Sequence, residues 1–293
     1  MSRLGRYDFS VGTALVTGAA GGIGEQLALG LADRGSDLVL LDRDADRLAA
    51  VADAVRGRSG DVAVWTHTID VADRVALLEF AEEVAAEHPD LTLLVNNAGV
   101  ALGGSFEQMT LEEFDWVMNI NFGAPVALTH ALLPTLVANP GSHIVNMSSL
   151  FGIIAPAGQS AYSSSKFALR GFSEVLRIEL AERAVGVTVV HPGGIRTSIA
   201  SSARIAAGAP EEVGSEIAKV DRLLRYPPEK AAAEILSGVQ RRQARVLIAP
   251  EAVLGDLAAR VAPVRHAGLL EGVTKVVGRV VRRSSGAGSD VGG

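Results

Sequence analysis

Thr13-Ala14-Leu15-Val16-Thr17-Gly18-Ala19-Ala20-Gly21-Gly22-Ile23-Gly24 is the stretch on which the fold turns. Five strand-forming residues run into a glycine-rich turn, and the turn runs into Glu25 to Arg34, whose apolar positions recur at helical spacing. Glycine suits this turn because the backbone must take angles that other residues resist, and because a Cβ would hold a ligand off the main chain. The start of the following helix offers unpaired N–H groups and the positive end of its dipole, which together favour a phosphate. The spacing is Gly-x-x-x-Gly-x-Gly, so Gly18, Gly22, Ile23 and Gly24 are the expected ligand-contacting residues.

The alternation continues along the chain. Short β-branched apolar runs at Asp37 to Asp42, Val62 to His67, Leu91 to Val95, His143 to Met147, Val187 to His191 and Arg245 to Ala249 are separated by helix-sized segments. With the first strand this makes seven, and repeated strand–helix–strand units predict an α/β, doubly wound Rossmann fold: a seven-stranded, mostly parallel sheet with helices on both faces. Ligands in such folds bind at the carboxyl ends of the strands, near the switch in strand order. No linker interrupts the pattern, so residues 1–250 read as a single dinucleotide-binding and catalytic domain, 251–283 as a C-terminal helical extension, and 284–293 as a disordered tail.

Composition bounds the function. The chain has 293 residues, 48% of them hydrophobic and 20% charged, enough to bury a large core. A net charge of −6 and a pI near 5.6 argue against nucleic acid as a partner. The absence of cysteine excludes disulfides, thiolate metal sites and a cysteine nucleophile; no metal is expected, and a cytoplasmic location is. Residues 1–10 lack the apolar run of a secretory signal, and the apolar stretches read as strand-sized or broken by charge, so no transmembrane span is expected.

Asp42 ends the second strand 18 positions beyond Gly24, where a carboxylate can accept hydrogen bonds from an adenosine ribose and repel a 2′-phosphate. Arg43 beside it is what a phosphate site would use. NAD is therefore the expected cofactor, with NADP the alternative. Asp42 also fits a cap for the helix that follows, and the two roles are compatible. Asp70, just past the third strand, fits either a helix cap or a contact to adenine, with Val71 next to it.

The fourth strand ends in Asn96-Asn97-Ala98-Gly99, whose amides can bridge neighbouring strand ends; Asn97 and Gly99 are cofactor candidates. With Thr17 to Gly24 and Asn96 to Gly99 in position, the sequence resembles the short-chain dehydrogenase/reductase family. The fifth strand ends in Ser148-Ser149, and 13 residues beyond Ser149 stands Tyr162, followed by Ser163-Ser164-Ser165-Lys166. The family pairs a serine with Tyr-x-x-x-Lys at this spacing, a match that falls on Ser149, Tyr162 and Lys166. The chain has three tyrosines and four lysines, so random placement yields such a pair in only about 4% of cases.

Elementary chemistry supports those roles. Residues four apart share one helix face, so the Lys166 ammonium can approach the Tyr162 phenol. A nearby ammonium, together with the positive charge of an oxidised nicotinamide, favours phenolate and is expected to lower a pKa ordinarily about 10. Tyr162 then exchanges a proton with the substrate oxygen while Ser149 polarises it. The resemblance further implies that Lys166 holds the nicotinamide ribose and that Asn121, in Asn119-Ile120-Asn121-Phe122-Gly123, helps hold a water linked to the lysine; a buried polar residue satisfied by backbone is the alternative. After the sixth strand, Pro192-Gly193-Gly194-Ile195-Arg196-Thr197 resembles the family's Pro-Gly-x-Ile/Val-x-Thr segment, which implies nicotinamide carboxamide contacts from the Ile195 backbone and the Thr197 hydroxyl.

The resemblance spans about residues 10 to 250 and implies an NAD(P)-dependent oxidoreductase acting on an alcohol or ketone, assembled as a homodimer or homotetramer in which long helices, about Leu111 to Val137 and Ser160 to Arg183, pack between subunits. A non-catalytic, NAD-binding sensor of the same fold would be marked by loss of the tyrosine or lysine, and both are present. Ala101 to Phe106, Leu150 to Gln159 and Ser198 to Tyr226 are the expected substrate-contacting segments, and their Ala, Gly, Ile and Leu content predicts an apolar secondary alcohol or ketone. In Leu269 to Arg283, valines and leucines alternate with Lys275, Arg279, Arg282 and Arg283. That pattern fits a helix packed on its own domain or subunit partner, or a peripheral membrane contact.

Overall fold

Leu38 and Leu40 of the second strand face one apolar layer while Val39 and Leu41 face another, and all four are fully buried. A strand covered on both faces has no polar side to present, which is why it reads as a continuous apolar run. A computed structural model of the chain describes residues 4–58, 61–197, 199, 202–210, 212–215 and 224–265. Its strands β1 (Thr13–Thr17), β2 (Asp37–Asp42), β3 (Val64–Thr68), β4 (Leu91–Asn96), β6 (His143–Met147), β7 (Gly186–Pro192) and β9 (Arg245–Ile248) form one parallel sheet in the order β3-β2-β1-β4-β6-β7-β9. The predicted doubly wound, seven-stranded sheet is the observed one. The third strand starts two residues later than expected; it is an edge strand, and the exposure of Trp65 and Thr66 weakens its apolar signal.

One face carries α1 (Gly22–Ala32), α2 (Ala45–Arg58) and α7 (Pro228–Gln240), packed through Leu27, Leu31, Leu48, Ile235 and Leu236. The other carries α3 (Arg74–Glu87), α4 (Leu111–Met118), α5 (Ala124–Ala138) and α6 (Ser160–Glu179), packed through residues such as Leu77, Phe80, Leu128, Leu132 and Leu176. Burying each such side chain stabilises the fold by about 1.5–3 kcal/mol before entropy is counted. Thr110 starts α4 with a reciprocal capping box to Glu113. A turn of π-helix, Asn119–Gly123, joins α4 to α5; the expected single helix therefore contains an extra residue per turn at Asn121.

Among the described residues, Leu111–Ala138 is long and apolar enough to cross a membrane by length and composition, contrary to the expectation that no segment would be. Half of its most apolar window is buried, and Leu128, Leu132 and Leu136 are core residues, so core packing accounts for its apolarity. A small second sheet pairs β5 (Leu102–Gly103) with β8 (Arg204–Ile205). Among the described residues, a last helix, α8 (Pro250–Val261), follows β9. The amphipathic Leu269 to Arg283 segment and the 284–293 tail lie outside the described residues.

β1, β2 and β3 build the sheet in one direction, and β4 returns to the other side of β1. The switch in strand order thus falls between β1 and β4, where the glycine turn and the Asn96-Asn97 turn emerge side by side.

Candidate active site

The glycine turn is shaped by two close approaches. Gly18 sits at φ +65°, and a Cβ there would come within 2.8 Å of the Ala98 Cα; at Gly24 a Cβ would lie 2.0 Å from the Gly18 carbonyl oxygen. Gly22, at φ +59°, also requires the left-handed region, and Thr197 approaches it from above. Asn97 fastens the turn: its Nδ2 donates to the Thr17 and Gly18 carbonyls at 2.9 and 3.0 Å, while the Asn97 and Ala98 amides donate to the Thr17 hydroxyl. Helix α1 begins at Gly22 with no side-chain cap, so its first N–H groups face the cleft.

Asp42 closes this end. Its carboxylate accepts the Ala20 amide at 3.0 Å and the Asp44 amide at 3.1 Å, which ties β2 to the glycine turn. Capping of α2 falls instead to Asp44, which accepts the Arg47 amide. Likewise α3 is capped by Asp73, which accepts the Val75 and Ala76 amides, whereas Asp70 accepts the Ala72 amide within its turn. The capping alternatives for Asp42 and Asp70 are therefore overturned, because neighbours two and three residues on already satisfy the helix starts. Exposed Arg43 lines the cleft beside Asp42.

The cleft, about 500 Å³, runs from Gly18, Gly22, Ile23, Asp42 and Arg43 past Asn97 and Gly99 to Ser149, Tyr162 and Lys166, under a rim of Pro192, Gly193, Ile195 and Thr197. A recess of about 130 Å³ opens from it at Asp70 and Val71. Of the sequence-predicted residues, Gly24 lies beneath the turn and Asn121 behind the cleft, fully buried. The Asn121 Oδ1 accepts the Val100 amide, and its Nδ2 donates to the Val100 carbonyl and the Ser165 hydroxyl. Both amide hydrogens are thus spent on protein, one on a backbone carbonyl and one on a hydroxyl. Gly99 keeps room beside it: a Cβ there would lie 3.2 Å from Asn121 Oδ1 and 3.3 Å from Lys166 Nζ.

At the far end Ser149 leaves β6 and accepts the Phe151 amide at 3.1 Å, while Ser148 turns inward to donate to the Lys166 carbonyl. Lys166 donates to the Met147 carbonyl at 2.9 Å and lies 5.6 Å from the centre of the Tyr162 ring. Burial depresses its pKa from 10.5 to about 8. Burial pushes the Tyr162 phenol up, opposed by hydrogen bonding to Ser149; the expected lowering counts the positive charge of a bound oxidised nicotinamide as well and concerns the loaded site.

One feature escaped the sequence. His191, fully buried at the end of β7, places Nδ1 2.8 Å from the Ser149 carbonyl oxygen; burial holds its pKa down at about 4, so the neutral ring donates there. It had no signal beyond a polar residue inside an apolar strand. Behind the site, as expected of an amide at the end of the fourth strand, Asn96 Nδ2 donates to Asn146 Oδ1, and Asn146 Nδ2 to the Ser173 hydroxyl, linking β4, β6 and α6. Of the predicted substrate segments, Ala101 to Phe106 and the described part of Ser198 to Tyr226 meet in the β5–β8 pair, and Ile199, Ser202 and Leu224 line the cleft. Residues 198, 200, 201, 211 and 216–223 lie outside the described residues.

Comparison with known proteins agrees with this geometry. The family model for the short chain dehydrogenases matches residues 12–207. The SadH protein of Mycobacterium tuberculosis is 40% identical over 250 residues, covering 85% of this chain and 90% of that protein. A short-chain dehydrogenase from Sphingobium yanoikuyae in complex with NADPH shares 30% identity with a TM-score of 0.71, covering 90% and 96% of the two chains. For the fold alone, a Burkholderia phymatum short chain dehydrogenase/reductase in complex with NAD superposes with a TM-score of 0.78 at 24% identity, covering 87% and 94%. Motif order, sheet topology and these likenesses agree: the chain is an oxidoreductase of the short-chain dehydrogenase/reductase family.

Proposed function

We propose that this chain transfers hydride between NAD(H) and an apolar secondary alcohol or ketone. The observation that carries the proposal is that Ser149, Tyr162 and Lys166 meet at one end of a single cleft whose other end is a glycine-rich turn. A dinucleotide fits that shape: Gly18 and Gly24 admit no Cβ, and the uncapped start of α1 offers N–H donors to a pyrophosphate. Asp42 accepts the ribose hydroxyls and disfavours a 2′-phosphate, which supports NAD over NADP despite Arg43. Asp70 and Val71 flank the adenine end, and Pro192, Gly193, Ile195 and Thr197 cover the nicotinamide end. When bound, the nicotinamide supplies or accepts the hydride.

The protein's own part is proton management and orientation. With its pKa raised by burial, Tyr162 is protonated at neutral pH and donates its proton to a ketone oxygen as that oxygen gains charge. Ser149 donates a second hydrogen bond to the same oxygen, held by the His191 contact to its carbonyl. Lys166, charged below about pH 8, stabilises the phenolate left behind. Ketone reduction is therefore expected to hold through neutral pH and to decline above about pH 8 as Lys166 loses its proton. Met147, Ile199 and Leu224 in the cleft wall, with Phe151 6.2 Å from the Tyr162 ring, support an apolar substrate.

The test is titration with NADH and NADPH, followed by a panel of secondary alcohols and ketones on wild type and Tyr162→Phe. Tighter NADH binding, with turnover in the variant reduced by about 10²–10⁴ and nucleotide affinity unchanged, is the expected result. Tighter NADPH binding transfers the cofactor choice to Arg43. Preferential turnover of small charged substrates overturns the apolar assignment, and undiminished turnover in the variant overturns the role of Tyr162. Assembly as a homodimer or homotetramer belongs to the same proposal. Exposed Val175 and Ile178 on α6 and Leu254, Leu257 and Val261 on α8 support it, and sedimentation tests it.

A further inference from the structure

We propose that Arg204 is a nucleotide-binding residue whose guanidinium, braced on Trp116, holds the adenine ring of a bound dinucleotide. The inference deepens the function proposed above and rests on it. The recess at the adenosine end of the cleft has Asp42, Asp70 and Val71 on one side and Trp116 and Arg204 on the other. Arg204 comes from the segment after β7 that was expected to serve the substrate, and it stands 88 positions from Trp116 in the sequence.

The backbone fixes its delivery. The Arg204 amide donates to the Ala101 carbonyl at 3.1 Å and the Ala206 amide to the Gly103 carbonyl at 2.9 Å, so β8 is registered on β5. Beyond it the Ala207 amide reaches the Glu113 carboxylate at 3.0 Å, and the Gly208 amide reaches the Gln108 carbonyl at 2.9 Å. Glu113 is also half of the capping box that begins α4, the helix bearing Trp116. The arm and the Trp116 helix are therefore one fastened unit, and the Arg204 Cζ lies 3.8 Å from the centre of the Trp116 ring. One face of the guanidinium is covered by the indole. Among the described residues no carboxylate pairs with it.

The chemistry of the recess selects the ligand. Ile69, Val71 and Ile120 suit a flat apolar body, while the carboxylates of Asp42 and Asp70 disfavour a phosphate. A neutral heteroaromatic ring with a polar edge satisfies both. A planar, weakly hydrated cation already stacked on an indole is suited to purine faces and to ring nitrogens alike.

The test uses full-length wild type and Arg204→Ala with four ligands: NADH, NADPH, ADP-ribose and reduced nicotinamide mononucleotide, which lacks the adenosine half. Dissociation constants come from calorimetry or ligand fluorescence, and thermal unfolding verifies that the variant keeps its fold. Trp65→Phe leaves Trp116 as the single tryptophan, and its fluorescence is expected to respond to ADP-ribose. The expected result is about tenfold weaker binding of NADH, NADPH and ADP-ribose, with the mononucleotide unaffected. A loss confined to NADPH makes Arg204 a phosphate contact and overturns the assignment. Equal losses for all four ligands overturn it as well, because Arg204 would then act on the cleft as a whole, and so does an unchanged set. A wild type that binds none of the four overturns the proposed function together with this inference; an Arg204→Ala that binds like wild type overturns this inference alone.

Discussion

At the glycine-turn end of the cleft the backbone segments come closest, and a Cβ added at Gly24 would sit 2.0 Å from a carbonyl oxygen. At the Tyr162 end there is room for side chains, but they are titratable groups taken out of water: Lys166 is depressed to about 8 and His191 to about 4. The first end is constrained by sterics and the second by electrostatics. A steric constraint is satisfied once the correct small residue is present and carries no standing cost. A buried ammonium costs stability for as long as it is charged.

The largest expected effect breaks the steric end. Gly24→Val drives two methyl groups and a Cβ into the Gly18 carbonyl and the Asn97 amide, and should destabilise the fold on the order of 4 kcal/mol, read from urea unfolding midpoints. A variant that melts like wild type would mean the turn is free to relax and the contrast between the two ends is misplaced.

The second effect has the opposite sign. A pKa lowered from 10.5 to about 8 corresponds, at about 1.4 kcal/mol per unit, to a burial cost of about 3 kcal/mol at neutral pH, where Lys166 is charged both folded and unfolded. Lys166→Met removes that cost and loses the hydrogen bond to the Met147 carbonyl, so it should stabilise the protein by about 2 kcal/mol while abolishing turnover. Since a depressed lysine regains stability only as pH rises through 8 toward 10.5, the gap between variant and wild type should be widest below pH 8 and close above it. A destabilised Lys166→Met would show that the ammonium holds the site together rather than straining it.

The last effect, the smallest for a single step of one pH unit, concerns His191. Its folded value lies below its unfolded one, so the unfolded chain takes up a proton first, and stability falls as pH drops from 6.5 toward 4 by about 1.4 kcal/mol per unit. His143, buried at the other end of β6 and held at about 3, adds an equal slope. His191→Asn can still donate to the Ser149 carbonyl and should remove one histidine's share of the acid slope in melts at pH 6.5, 5.5 and 4.5. An unchanged slope would mean that His191 does not remain neutral beside Ser149.

Much of this molecule is written locally. The apolar runs marked all seven strands of the main sheet because a two-sided parallel strand needs no partner information to look apolar. The glycines of residues 18 to 24 declared themselves because backbone angle and atomic room are properties of a few consecutive residues. Ser149, Tyr162 and Lys166 were legible as a spacing, and the structure lines one cleft with them. The long helix expected from 111 to 137 was legible, but the π turn that points Asn121 at Val100 was not, because an extra residue per turn leaves no compositional trace.

What the sequence determined by itself is the doubly wound sheet, the position of the glycine turn and the spacing of Ser149, Tyr162 and Lys166, since each depends on periodicity or spacing along the chain. Only the tertiary structure decided which aspartates cap helices, that His191 meets the Ser149 carbonyl, that Arg204 meets Trp116, and how deeply the Tyr162 phenol is buried. Capping choices, dielectric surroundings and contacts between residues 88 positions apart are set by what lies nearby in space, and that neighbourhood exists only once the chain has packed.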